Sequence, residues 1–189
     1  MPGIIEPFRT LYCDPGEDFG WCVGRGTKLL GAGTHKMWDF ADEVYDALLG
    51  LPSASYLLNE FDLGGYCREG VEESEQAFYN ENPKFMQIGR IVYEDFRLYP
   101  WVLRSGALDW NPVRTARVIG ALTMIARRAD IPLIAQPAAI KKAAKSAGAE
   151  ELYYHPLHEN RHQNDAIQHF VFYTNTELLG LHMPVPKDD

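Results

Sequence analysis

Cysteine is scarce in this chain: three in 189 residues, Cys13, Cys22 and Cys67, with no Cys-x-x-Cys pair among them. An odd count at such spacing indicates neither a disulfide framework nor a structural zinc site, and buried free thiols are the reading. Long apolar runs are missing too. No stretch of about 18 apolar residues could serve as a membrane span. The opening Met1-Pro2-Gly3-Ile4-Ile5-Glu6 lacks the basic start and apolar run of a secretion signal, so a cytoplasmic protein is expected. Clear repeats and low-complexity tracts are absent. With 46% hydrophobic and 12% aromatic residues, the chain has enough apolar side chains for one good-sized core, and a single domain over residues 1–189 is expected.

Excess positive charge is also lacking, since the formal net charge is −8. The total conceals an asymmetry. Residues 84–161 hold 12 Lys and Arg against 7 Asp and Glu, whereas the rest of the chain holds 6 against 19. A polyanion responds to the local field rather than to the sum, so a nucleic-acid partner stays open. Much of the negative excess lies in Glu69, Glu72, Glu73, Glu75 and Glu81, read as a solvated face.

The order of elements points to an α/β fold. Residues 9–14 read as a short buried strand, and Pro15-Gly16-Glu17-Asp18 as a turn into a second strand over 19–23. Residues 28–34 give a third strand and 38–49 a helix. Residues 50–88, broken by Pro52, Gly64, Gly65, Gly70 and Pro83, read as a partly helical insertion. A fourth strand follows Gly89, and an aromatic loop over 97–110 carries Trp101 and Trp110. Asn111-Pro112 opens a helix to about Arg128, because Asn suits the N-cap and Pro the first helical position. A fifth strand over 131–135, a basic helix over 137–147 and a last helix over 160–179 complete the series. An antiparallel start followed by alternating strands and helices predicts a mixed five-stranded sheet flanked by helices.

Three acids stand where such elements end or open: Asp14 closing the first strand, Glu94 within the fourth, and Asp165 near the start of the last helix. Brought together, they would offer the anionic oxygens that hard divalent cations require, with positions left for water and phosphate. His162 lies three residues before Asp165 and shares its helical face, where it could ligate a metal or move a proton. His169, further along, is read as structural, and His155 and His158 are unassigned.

Three runs together resemble RuvC-type Holliday junction resolvases, particularly those common in bacteriophages. They are Asp14-Pro15-Gly16 with Phe19-Gly20-Trp21, then Val92-Tyr93-Glu94-Asp95-Phe96, then His162-Gln163-Asn164-Asp165-Ala166. The resemblance implies a ribonuclease H-like fold and a nuclease using Mg²⁺ or Mn²⁺, two ions per site, held by Asp14, Glu94, His162 and Asp165. It further implies cleavage of branched DNA by a homodimer, with Lys141, Lys142, Lys145, Arg114 and Arg117 as candidates for contact with the DNA backbone. Such phosphate contacts give affinity without sequence specificity. Aromatic residues such as Phe78, Tyr79, Trp101 and Trp110 could wedge into unstacked bases, although core or loop packing is the commoner use. The stretch from Asp14 to Glu94 is longer than in compact bacterial resolvases. Rival readings keep the fold but change the substrate to forks, flaps or RNA, or make the chain a junction-binding or recruiting module without catalysis. An actin-like ATPase would need a duplicated domain, for which 189 residues leave no room.

Overall fold

The computed structural model describes residues 8–16, 18–36, 88–96, 111–149 and 161–184. Within them lie strands β1 (Arg9–Asp14), β2 (Asp18–Arg25), β3 (Lys28–Lys36), β4 (Ile88–Asp95) and β5 (Leu133–Pro137). The helices are α1 (Asn111–Ala129), α2 (Ile140–Ser146) and α3 (Arg161–Tyr173), the last running into a π-helical turn over Thr174–Leu178. The five strands form one sheet in the order β3-β2-β1-β4-β5. The β3-β2-β1 half is antiparallel and the β1-β4-β5 half parallel, which is the mixed sheet expected from the sequence. The helix expected over 38–49, most of the insertion, the acidic residues 69–81 and the loop 97–110 with its tryptophans lie outside the described residues.

Alternation along the strands sorts the core into two layers. Leu11 and Cys13 of β1, Phe19, Trp21 and Val23 of β2, and Ile91 of β4 face α1, where Val118, Leu122, Ile125 and Ala126 cover them. Their neighbours Tyr12, Cys22 and Val92 point the other way, into a second core with Ala144, Ala166, Ile167, Phe170 and Val171 from the helical side of α2 and α3. Full burial of side chains such as Ile91, Ile167 and Phe170 stabilises the fold by about 1.5–3 kcal/mol each. Cys13 and Cys22 are buried and reduced, as expected.

Several boundaries differ from the expected ones: β2 and β3 run longer, and the helix expected over 137–147 spans only Ile140–Ser146, since Pro137 ends β5. Two further differences have local reasons. The strand expected over 131–135 starts at Leu133, because Asp130 adopts φ 53° and the Ile131 amide donates to the Ala126 carbonyl at 3.0 Å, closing α1. A short polar side chain tolerates that left-handed conformation. The last α-helix ends at Tyr173 rather than near Leu179, with the Leu179 amide donating five residues back to the Thr174 carbonyl at 3.0 Å.

The contact that positions the site runs between β2 and α3. Gly20, Cys22 and Gly24 occupy one face of β2, and opposite them lie His162, Ala166 and Phe170, each four residues apart on α3. Two residues of strand rise about 6.8 Å and four of helix about 6 Å, so the two series stay nearly in step. A Cβ on Gly20 would lie 2.0 Å from the His162 carbonyl oxygen, and one on Gly24 would lie 2.7 Å from the Phe170 ring. Between them the Cys22 thiol donates to the Ala166 carbonyl at 3.3 Å. The helix therefore lies directly on the strand backbone.

Candidate functional site

The parallel half of the sheet places the acids in a row. Asp14 and Glu94 each lie one residue beyond the paired Cys13 and Tyr93 of β1 and β4, and Glu94 in turn pairs with Gln136 of β5. All three point to the α3 side, at the carboxyl ends of adjacent strands, where ligands of open α/β sheets characteristically bind. On the other flank of Asp14, its register partner on β2 is Gly20, the point at which the first turn of α3 rests on the sheet. That close approach brings Asp165 over the row. One carboxylate oxygen from each of Asp14, Glu94 and Asp165 lies within 4.8 Å of the others.

The environment of each acid is distinct. Asp14 is 14% exposed at the side chain and its Oδ2 lies 2.7 Å from His162 Nδ1. Burial, with the Glu94 charge beside it, pushes the Asp14 carboxyl above its ordinary value, against the opposing effects of Lys141 and His162. Burial acts the same way on Glu94, but there the hydrogen bond from His169 and the Lys141 ammonium outweigh it and hold the carboxyl at about 2. Asp165 meets the Lys141 ammonium at 2.7 Å, Gln168 Nε2 at 3.4 Å and Arg161 Nε at 3.9 Å. Burial alone would lower the Lys141 ammonium, yet the carboxylates around it, Glu94 foremost, hold it above its ordinary value.

Of the residues expected to form the site, the structure brings Asp14, Glu94 and Asp165 together and sets His162 at its rim, 41% exposed and bonded to Asp14. Lys141, expected among the DNA contacts, instead extends into the cluster, with Nζ 2.5 Å from Glu94 Oε2. Lys142 and Lys145 are exposed on the same helix. Arg117 is exposed on α1, across the sheet from the carboxylates, and the side chain of Arg114 lies outside the described residues. Arg117 is thus not brought to the carboxylates, because α1 covers the opposite face.

Sequence reasoning missed Gln136 and underrated His169. The imidazole of His169 is fully buried, with Nδ1 2.8 Å from Gln136 Oε1 and Nε2 3.4 Å from Glu94 Oε2. It is a positioning group, holding Glu94 in place as outer-shell histidines and amides hold metal-binding carboxylates. Its spacing of four from Asp165 was the available signal. What no spacing could show was the strand that Asp165 and His169 face together.

No family model matches the sequence, and no curated protein matches it significantly. Solved structures do. RuvC of T. thermophilus in complex with a Holliday junction substrate aligns with a TM-score of 0.52 at 14% identity, over 94% of this chain and 99% of that one. A second Thermus thermophilus RuvC structure aligns with a TM-score of 0.49 at 15% identity, over 93% and 99%. The chain has the RuvC form of the ribonuclease H-like fold. Within this RuvC-like fold, Asp14 and Glu94 end neighbouring central strands and Asp165 descends from the helix above them. No helix among the described residues is long and apolar enough to cross a membrane.

The donor set fits a divalent cation. Three carboxylates at most about a fifth exposed supply hard oxygen ligands, and the cluster already accommodates a cation in the form of the Lys141 ammonium.

Holding Glu94 at about 2, against an ordinary 4.5, has a consequence for stability. A depressed carboxyl stabilises the fold above its unfolded value, and the contribution is lost as pH falls from about 4.5 through about 2. Glu94→Gln is therefore expected to destabilise the metal-free protein at pH 7 by on the order of 2–3 kcal/mol, with a smaller difference at pH 3. Urea unfolding in EDTA at both pH values checks this. An equal loss at the two would point to lost packing instead.

Proposed function

We propose that this protein is a metal-dependent endonuclease that cuts branched DNA, with the Holliday junction as its preferred substrate. The observation that carries the reading is the convergence of Asp14, Glu94 and Asp165 within 4.8 Å at the carboxyl edge of a RuvC-like sheet. Asp14, Glu94 and Asp165 would hold Mg²⁺ or Mn²⁺, one ion or two, with His162 at the rim as a further ligand or a proton carrier. When bound, such ions polarise the scissile phosphate and make a coordinated water nucleophilic near neutral pH.

The chain's own residues do the rest. Asp14 and Glu94 are fixed by the strand ends, and Asp165 by the seat of α3 on Gly20. His169 and Gln136 keep the Glu94 carboxylate from turning away. His162, bonded through Nδ1 to Asp14, is oriented so that its other ring nitrogen can receive or deliver a proton at the reacting oxygens. Exposed Lys142 and Lys145, next to the site on α2, would contact the phosphate backbone. The RuvC structure in complex with a Holliday junction substrate supports the choice of substrate. Two symmetric cuts in a four-way junction call for two related sites, so the working form is a homodimer of single-domain chains spanning residues 1–189. Its setting is the cytoplasm of a bacterial cell, encoded by the cell or by a phage, in DNA recombination and repair.

The test is cleavage of a labelled immobile four-way junction in Mg²⁺, Mn²⁺ or EDTA, with duplex, fork, flap and RNA-hybrid controls. Paired symmetric nicks that need metal are expected. Preferential cutting of a control keeps the site and reassigns the substrate. Tight junction binding without cutting in either metal marks a recruiting module.

A further inference from the structure

Three carboxylates packed within 4.8 Å, with side-chain exposures of 14% for Asp14, 18% for Glu94 and 12% for Asp165, repel one another and need a counter-charge. Lys141 supplies it. Its Nζ lies 2.5 Å from Glu94 Oε2 and 2.7 Å from Asp165 Oδ2, so a single ammonium ties the β4 acid to the α3 acid. The side chain reaches in from a helix anchored by Ile140, Ala143 and Ala144, which are buried on the face that α2 turns to the core. Lys142 and Lys145, on the same helix, are exposed, so the inward direction is a property of position 141 rather than of a basic helix in general.

The oxygens that receive the ammonium belong to the carboxylates placed to hold a divalent ion. A divalent ion held by those oxygens would sit within a few ångströms of the ammonium, and two cations that close repel each other, so they compete for the cluster. We propose that Lys141 is a built-in competitor for the divalent cation, neutralising the acid cluster in the metal-free protein and withdrawing when the ion binds. The inference rests on the reading that Asp14, Glu94 and Asp165 form a cation site, and it adds how that site is regulated. The metal-free protein stays folded without its ion, and the cluster is protected from casual occupation by weakly bound cations. The cost is a higher concentration of divalent ion needed to fill the site.

The unaltered protein gives the first test. Lysines are reductively methylated with formaldehyde in EDTA and in Mn²⁺, and the modification at each position is read by mass spectrometry. Lys141 is expected to label several-fold faster in Mn²⁺, while Lys142 and Lys145 keep their rates. An unchanged or slower rate at Lys141 in Mn²⁺-bound protein overturns the proposal.

The second test is calorimetric titration of Mn²⁺ into wild type and Lys141→Met, which keeps most of the side-chain volume and removes the charge. The variant is expected to bind Mn²⁺ at least about tenfold more tightly, because the competing cation is gone. Equal or weaker binding by the variant, with wild type binding normally, overturns the competitor role and leaves the metal site standing. Absence of Mn²⁺ binding in both proteins overturns the competitor role together with the metal site. The labelling experiment needs no variant and decides the matter even where Lys141→Met folds poorly.

Discussion

Asp14→Asn is expected to abolish metal-dependent cleavage of a four-way junction while raising the melting temperature of the metal-free protein by about 2–4 °C. Both effects follow from one environment. Asp14 is a mostly buried carboxylate beside Glu94, and burial together with that neighbouring charge raises its carboxyl and makes the charged form costly. A neutral amide of the same shape removes that repulsion and can still accept from His162 Nδ1. Relief of roughly 1 kcal/mol is reasonable for one unfavourable charge, and in a chain of this size it corresponds to those few degrees. The same change takes from the cluster one of its three anionic ligands, so cleavage should fall by at least about 10³-fold. Junction binding, for which Lys142 and Lys145 are the proposed contacts, should survive. Thermal melts in EDTA and cleavage assays in Mg²⁺ read the two arms separately. Undiminished cutting would remove Asp14 from the site, and a lowered melting temperature would contradict the electrostatic reading. The contrast with Glu94→Gln is informative, since neighbouring carboxylates in one cluster should respond to neutralisation with opposite signs.

Gly20→Ala is expected to be more damaging than any exchange on the sheet's solvent edge. The added methyl would meet the His162 backbone oxygen at 2.0 Å and its carbonyl carbon at 2.2 Å, and neither atom belongs to a side chain that can rotate away. Either β2 bends or the first turn of α3 lifts from the sheet. Overpacking of this kind costs about 3 kcal/mol or more, which for this chain means a loss on the order of 6–12 °C in melting temperature. Lifting α3 also carries His162 and Asp165 away from Asp14, so cleavage should be lost even in molecules that remain folded. Gly120→Ala is the matched control. It lies in α1 with no described atom outside its own helix backbone within 4 Å of the new Cβ, and should be neutral or stabilise by about 0.5–1 kcal/mol. A Gly20→Ala protein as stable and active as wild type would show that α3 does not depend on this seat.

What could be read from the sequence was local. Short apolar runs bounded by turn residues marked β1, β2 and β4, and the Asn111-Pro112 start marked α1, because such signals stand in chain order whatever the element later packs against. The three acids were legible for the same reason, each standing near the end or the start of a regular element. The spacing of His162 and Asp165 was enough to place both on one face of α3, though not to say that His162 would bond Asp14 across 148 positions of chain.

The remainder depended on which elements became neighbours. Lys141 looked like a member of a solvated basic helix because Lys142 and Lys145 surround it, and only the docking of α2 beside α3 turns its ammonium onto Glu94 and Asp165. His169 joined the site only because β4 pairs with β5, which sets Gln136 beside Glu94 beneath the same helix. Gly20, Cys22 and Gly24 carried no evident meaning until a helix lay across them. Arg114 and Arg117 belong to a helix that covers the opposite face of the sheet. Periodicity specifies that an element has an apolar face to cover and where its polar residues emerge. Sheet order and helix packing, set by contacts between residues distant in the chain, specify what those polar residues meet.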